Sequence, residues 1–286
     1  MIWQLENPRF CVDINASGAE LTRIWDRRQN REWLWQATPG VWNNSATQLF
    51  PVTGRLIHQG VWEGADFYAL PDHGFLRHQT FTCVERCHDW LTLEAMATDK
   101  TLSVWPWRWR IQVTFSLDDT GIRVCQRVFN DDVRPFWFSL GWHPGFSLPI
   151  TRPGWQVEFV GKPVHGPFYT RDRTLVVPDN PPETWRFLLT AECFKSGAVY
   201  FGNSQEQRVI VRSPQGQIAL TLETGMQGWL VLWGVPGSDL LCIEPLAGTT
   251  DDPEFQGQVM NKRGMRCLVP GECQCFETRV GFAVDE

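Results

Sequence analysis

Between Trp105 and Phe115 the chain alternates without a break. Trp107, Trp109, Ile111, Val113 and Phe115 share one parity, and Arg108, Arg110, Gln112 and Thr114 share the other. Successive side chains of a strand point to opposite faces, so this pattern predicts a strand with one buried face. Asp118-Asp119-Thr120-Gly121 reads as a turn and Ile122 to Val128 as the returning arm of an antiparallel hairpin. Phe10 to Ile14, Ala198 to Phe201, Arg208 to Val211, Ile218 to Leu222 and Trp229 to Trp233 repeat the theme, separated by turns such as Ser213-Pro214-Gln215-Gly216. No long segment places apolar residues at helical spacing; one short helix is expected within Thr184 to Cys193. Strands recurring roughly every ten residues define an all-β class, a large antiparallel β-sandwich. No linker, repeat or low-complexity tract divides the chain, so one domain is expected over residues 1–286.

Charge and composition narrow the function. A net charge of -6 with no basic stripe argues against a nucleic-acid partner. No run of about 18 apolar residues is present, so no membrane span is expected. The first residues, Met1-Ile2-Trp3-Gln4-Leu5-Glu6-Asn7, lack the basic and apolar regions of a secretory signal, which predicts a cytoplasmic protein. The 9 cysteines are scattered, several on strand patterns, and are expected as free thiols in a reducing compartment. Cys83, Cys87, His88, Cys273 and Cys275 could be weighed as metal ligands, but no pair has the two-residue gap of a zinc knuckle. No metal is expected.

Two stretches carry candidate chemistry. In Phe138-Ser139-Leu140-Gly141-Trp142-His143-Pro144-Gly145-Phe146, an apolar run feeds a turn in which Pro144 restrains the backbone of His143. In Leu241-Cys242-Ile243-Glu244-Pro245-Leu246, Glu244 ends an apolar strand and is again followed by proline. A carboxylate in such a setting is costly unless it has a partner or a task. Two further loops set cations among apolar residues and Pro or Gly: Leu49-Phe50-Pro51-Val52-Thr53-Gly54-Arg55-Leu56 and Leu70-Pro71-Asp72-His73-Gly74-Phe75-Leu76-Arg77.

Taken in order, Gly54-Arg55, His73-Gly74-Phe75-Leu76-Arg77, Gly141-Trp142-His143-Pro144, Glu244-Pro245 and Leu268-Val269-Pro270-Gly271-Glu272 resemble the aldose 1-epimerase (galactose mutarotase) family, most of all its bacterial branch. The resemblance runs from about Asn7 to Val280. It implies a galactose mutarotase-like supersandwich and the exchange of α and β anomers of a free aldose through its open-chain aldehyde. Carried over by motif, His143 matches the histidine that protonates the ring oxygen, and Glu244 the glutamate that takes the proton of the anomeric hydroxyl. Arg55 and His73 match sugar-contacting positions; Arg77 and Trp142 are further candidates for binding, and Trp42 and Phe146 for stacking. Opening a pyranose needs an acid at one oxygen and a base at the other, and His with Glu supplies both. No cofactor is implied. The family often has another acidic residue near Phe194-Lys195-Ser196-Gly197-Ala198, and none stands there in this chain.

Two alternatives accompany this reading. The small-molecule partner could be a hexose 6-phosphate, with Arg55 and Arg77 holding the phosphate, or the chain could be a non-catalytic carbohydrate-binding protein. The expected geometry is Arg55, His73, His143 and Glu244 converging in one open cleft, with the His143 and Glu244 side chains roughly 5 to 8 Å apart.

Overall fold

The computed structural model describes residues 1–190 and 192–283. Its two principal sheets are antiparallel. One has nine strands in the order Arg186–Leu188, Gln156–Val160, Arg208–Arg212, Ile218–Thr224, Cys273–Phe282, Gly121–Asn130, Trp109–Leu117, Trp90–Met96 and Thr82–Arg86. The other has seven, in the order Glu183–Thr184, Val164–Tyr169, Val199–Gly202, Trp229–Trp233, Leu240–Leu246, Gly141–Ser147 and Ala46–Leu49. A four-stranded sheet formed by residues 2–32 and two small two-stranded sheets complete the strands. Among the described residues the one α-helix is the short Asp99–Leu102, and no helix is long and apolar enough to cross a membrane.

The hairpin pairs Trp109 with Asn130 and Leu117 with Ile122, and Asp118 Oδ1 closes its turn by accepting from the N–H groups of Thr120 and Gly121 at 2.7 and 3.0 Å. The Trp109–Leu117 strand alternates strictly between buried and part-exposed residues. Trp105 and Trp107 are buried as the alternation predicts, but they lie in the segment before the strand, which starts at Trp109. The inward faces of the two sheets contribute to a core that runs from Leu5 to Phe282.

Two sequence-based expectations are corrected. The short helix within residues 184–193 is replaced by strands ending at Thr184 and spanning Arg186–Leu188; Ala191 lies outside the described residues. Edge strands this short carry too few residues for their periodicity to show. The second concerns the Gly-Trp-His-Pro-Gly stretch. It is not a turn: Gly141–Ser147 is a strand inside the seven-stranded sheet, with His143 third of its 7 residues. Glu244 is likewise fifth of 7 in Leu240–Leu246 and does not end it. Pro and Gly are poor in a strand interior as a rule. Here the ladder pairs Gly141 with Leu246 and resumes at Gly145 with Cys242. Pro144 and Pro245, which have no N–H to give, fall in the gap.

Candidate active site

The site is one row across the seven-stranded sheet. Thr47 pairs with His143, and the register that pairs Gly141 with Leu246 and Gly145 with Cys242 puts His143 opposite Glu244. Glu244 pairs with Val231 and Val231 with Tyr200. All five side chains therefore share one face, about 4.5–5.5 Å apart from strand to strand at Cβ. They line a cavity of about 370 Å³. His143 Nε2 stands 3.3 Å from Glu244 Oε1, closer than the expected range. Direct cross-strand neighbours on one face start from Cβ atoms only about 4.5–5.5 Å apart, which lets the two side-chain tips meet.

Gly141 and Gly145 flank His143 on its own face. A Cβ on Gly145 would lie 2.7 Å from Trp42 Cζ3 and 2.7 Å from Leu240 Cδ1. The missing side chain lets the Trp42 ring stack on the imidazole at 4.9 Å and 26°. Trp233 meets the same imidazole edge-on at 6.0 Å and 75°. His143 Nδ1 is buried and has no hydrogen-bond partner among the described residues, so the ring is held by aromatic packing rather than by a carboxylate behind it.

The loops supply the rest of the wall. His73 is in the left-handed region at φ 65°. Its Nδ1 accepts from the Gly54 N–H at 3.1 Å, which leaves the neutral ring its proton on Nε2. Asp72 ties three cationic segments together. Its carboxylate accepts from the Leu56 N–H at 3.1 Å and from Arg173 at 2.5 Å, and its carbonyl accepts from Arg77 at 2.7 Å. Thr250 accepts from the Arg55 N–H at 3.1 Å and donates to the Arg173 carbonyl at 2.6 Å. Beneath them Lys262 and Asp251 form a buried pair at 2.6 Å, and Asp251 also holds the Ile57 N–H at 2.9 Å.

Burial dominates the electrostatics. It pushes the His73 imidazole down to about 3, with the charges of Arg77, Arg173 and Lys262 acting in the same direction. His143 is also held well below the usual histidine range by burial, then by His73 and Arg77. Burial holds the Glu244 carboxyl well above the usual carboxylate range. The His143–Glu244 pair thus favours a state that is neutral overall and holds one exchangeable proton between the two groups. Moving that proton from Glu244 to His143 creates the ion pair without changing the total charge.

Of the residues expected at the site, Arg55, His73, Arg77, His143 and Glu244 line this cavity, and Trp142 does not. Trp142 is fully buried in the core, because adjacent strand residues face opposite ways. Phe146 has the same parity as Trp142 and is also in the core. Trp42 reaches the cavity, and Thr47, Arg173, Tyr200 and Trp233 join it. Gly197 and Ala198 fill the place where an acid was missed, and both line the wall.

Cys83 and Cys275 lie on strands with three others between them, so the five weighed metal ligands do not converge. Among the described residues, two other groups bring three potential ligand atoms within 4.8 Å of one another: Cys87, His88 and Asp89, and His143, Cys242 and Glu244. A metal on the second group would occupy the lone pairs that an acid–base pair needs.

A profile of the aldose 1-epimerase family matches residues 1–253, and the chain belongs to that family. It is 24% identical over 283 residues to the chromosomal form of Protein LacX from Lactococcus lactis subsp. lactis, covering 92% of this chain and 93% of that protein. A galactose mutarotase related enzyme from Lactobacillus acidophilus superposes with a TM-score of 0.91 at 23% identity, covering 99% of this chain and 98% of that one. A galactose mutarotase-like protein from Lactobacillus casei does so with a TM-score of 0.91 at 26% identity, covering 99% and 100%. The fold is the galactose mutarotase-like β-sandwich.

Proposed function

We propose that the protein is an aldose 1-epimerase, an isomerase that exchanges the anomers of a hexose. The observation that carries this reading is the His143–Glu244 pair, 3.3 Å apart on neighbouring strands at the wall of a sugar-sized cavity. The ring oxygen and the anomeric hydroxyl are bonded to the same carbon, so acid and base must also be neighbours.

In the reaction, the sugar approaches with its anomeric carbon over the pair. Glu244 as carboxylate takes the proton of the anomeric hydroxyl, and His143 as imidazolium gives its proton to the ring oxygen. The bond from the anomeric carbon to the ring oxygen breaks, leaving an aldehyde and a ring-opened hydroxyl. Rotation about the bond between the first two carbons turns the other carbonyl face to that hydroxyl. The two proton transfers then run backwards and close the opposite anomer. The pair begins and ends with the same single proton. His73, neutral across the working pH range, offers its Nε2–H to a sugar hydroxyl. Trp42 holds the His143 ring at its angle, and Trp233 closes on its edge.

A second reading is favoured by one observation. Arg173 joins Arg55 and Arg77 on the cavity wall, so three arginines line a site whose two histidines are held neutral. Arg173 is paired with Asp72, and the remaining positive charge of Arg55 and Arg77 suits a substrate with an anionic substituent such as a phosphate ester.

The test is the rate of mutarotation above the spontaneous rate, followed by polarimetry over a panel of aldoses with and without a 6-phosphate. Acceleration of one or more sugars supports the epimerase, and preference for the phosphorylated members supports the second reading. Sugar binding with no acceleration of any member would make the chain a carbohydrate-binding protein.

A further inference from the structure

On the outer face of the nine-stranded sheet, the Sγ atoms of Cys125 and Cys275 are 3.0 Å apart. Cys125 pairs with Glu277 and Arg127 with Cys275, so the two thiols meet on a diagonal between adjacent strands. Their chain neighbours Val124, Gln126 and Phe276 are buried, which turns both thiols away from the core. Cys275 is exposed and Cys125 is half-buried. Among the described residues no other two thiols are in contact. The sugar site lies on the other sheet and uses neither.

We propose that Cys125 and Cys275 form a reversible dithiol site for a hydroperoxide, with Cys275 the attacking sulfur and Cys125 the resolving one. Three features divide the roles. Cys275 is the more accessible sulfur. It faces the Arg127 guanidinium directly across the strands. The hydrogen bond from Cys125 holds the Cys275 thiol down at about 7, helped by Arg127, and the same bond together with burial pushes the Cys125 thiol up. A thiolate formed by this pair, which is the nucleophile, is therefore favoured on Cys275.

The Cys275 thiolate attacks the terminal oxygen of the hydroperoxide. The O–O bond breaks, the leaving oxygen takes up the proton that Cys275 had released, and Cys275 becomes a sulfenic acid. The sulfur of Cys125 then attacks that of Cys275. The S–S bond forms, the S–O bond breaks, and the departing hydroxide leaves as water with the Cys125 proton. Two thiols and one hydroperoxide give one disulfide, one water and one alcohol, or two waters from hydrogen peroxide. Diagonal neighbours stand about 7–8 Å apart at Cα, whereas an unstrained disulfide prefers about 5.5–6 Å. Closing the bridge therefore draws the two strands together locally, and a bridge strained in this way, with Cys275 exposed, is readily reduced.

The experiment treats fully reduced protein with hydrogen peroxide at pH 7, blocks remaining thiols and maps the peptides by mass spectrometry without reduction. The expected product is the Cys125 peptide joined to the Cys275 peptide, two hydrogens lighter than the reduced pair and separated again by dithiothreitol. Cys275 should be oxidised ahead of exposed Cys87 and Cys273, because Cys125 and Arg127 stabilise its thiolate. In Cys125→Ser, dimedone should trap a sulfenic acid at Cys275; in Cys275→Ser, Cys125 should stay reduced. The wild-type map needs no variant to fold. Absence of the joined peptide, or oxidation of Cys87 or Cys273 ahead of Cys275, overturns the proposal.

Discussion

His73 and His143 face each other in one cavity with ring centroids 5.8 Å apart, yet their surroundings assign them different work. Gly54 fixes the proton of His73 on Nε2, so this ring is a permanent donor. His143 has no such bond at Nδ1 and faces a carboxyl at Nε2, so its proton can move. Conversion of His143 to Asn or of Glu244 to Gln keeps size and polarity but blocks the relay. Each should lower kcat by about 10²- to 10⁴-fold with KM changed far less, read by polarimetry on the preferred sugar. Near-full activity of Glu244→Gln would remove Glu244 from the mechanism. His73 makes a separate prediction about stability. Its folded pKa of about 3 lies below the 6.5 of an unperturbed histidine, so between these values the unfolded chain binds a proton that the folded chain refuses. Stability is complete above pH 6.5 and falls as the pH drops toward 3. At pH 5 the loss from this group is about 2 kcal/mol. Urea unfolding at pH 7 and pH 5 should show a smaller drop in His73→Gln than in the wild type. Equal drops would contradict the burial of a neutral His73.

At the scale of strands, the cavity depends on glycine as much as on the His143–Glu244 pair. Gly145 has the parity of His143, and the Trp42 ring covers the space its side chain would fill. Gly145→Ala should displace Trp42 or Leu240, costing about 1–3 kcal/mol as an overpacked contact. Losing the stack on His143 should also reduce kcat. Urea titration and mutarotation measure the two effects, and an alanine variant with both unchanged would show that Trp42 moves freely. The Trp109–Leu117 hairpin was legible in the chain because its register follows from local alternation and one short turn. His143, Glu244, Arg55, His73 and Arg77 were legible through motif order. Their spacing was not, since nothing local to residues 141–147 or 240–246 states that these strands are neighbours in register. For the same reason Thr47, Tyr200 and Val231 carried no signal: they belong to the site only through the row across the sheet. Trp142 was placed on the wrong side because the Gly-Trp-His-Pro-Gly stretch reads as a turn, where parity has no meaning. Once the stretch is a strand, parity alone sends Trp142 inward and His143 outward.

At the scale of the whole molecule, segments far apart in sequence meet around one buried guanidinium. Arg9 is fully buried and donates to Asp26 Oδ2 through Nε at 2.9 Å and Nη2 at 2.7 Å. The same side chain donates to the carbonyl of Asp119 at 3.1 Å and to that of Ala283 at 2.7 Å. It therefore joins the sheet of residues 2–32 to the hairpin turn and to the end of the Cys273–Phe282 strand, segments that no local contact would assemble. Asp26 in turn accepts from the backbone N–H of Arg28 at 2.9 Å. Arg9→Met removes the cation but leaves the Asp26 carboxylate and the carbonyls of Asp119, Phe282 and Ala283 without it. Breaking one side of such a pair costs about 3–5 kcal/mol. Arg9→Lys should recover only part, because one ammonium cannot meet the carboxylate and all three carbonyls as the planar fork of Arg does. Replacing both partners, as Arg9→Met with Asp26→Leu, removes the orphaned charge and should be less destabilised than Arg9→Met alone. Urea unfolding of the three variants tests the order double mutant above Arg9→Met. If Arg9→Met unfolds at the wild-type midpoint, these segments are held together by the packing of Phe10, Trp33 and Phe282, with Phe10 and Trp33 lying 5.7 and 4.9 Å from the Phe282 ring, and the guanidinium is dispensable.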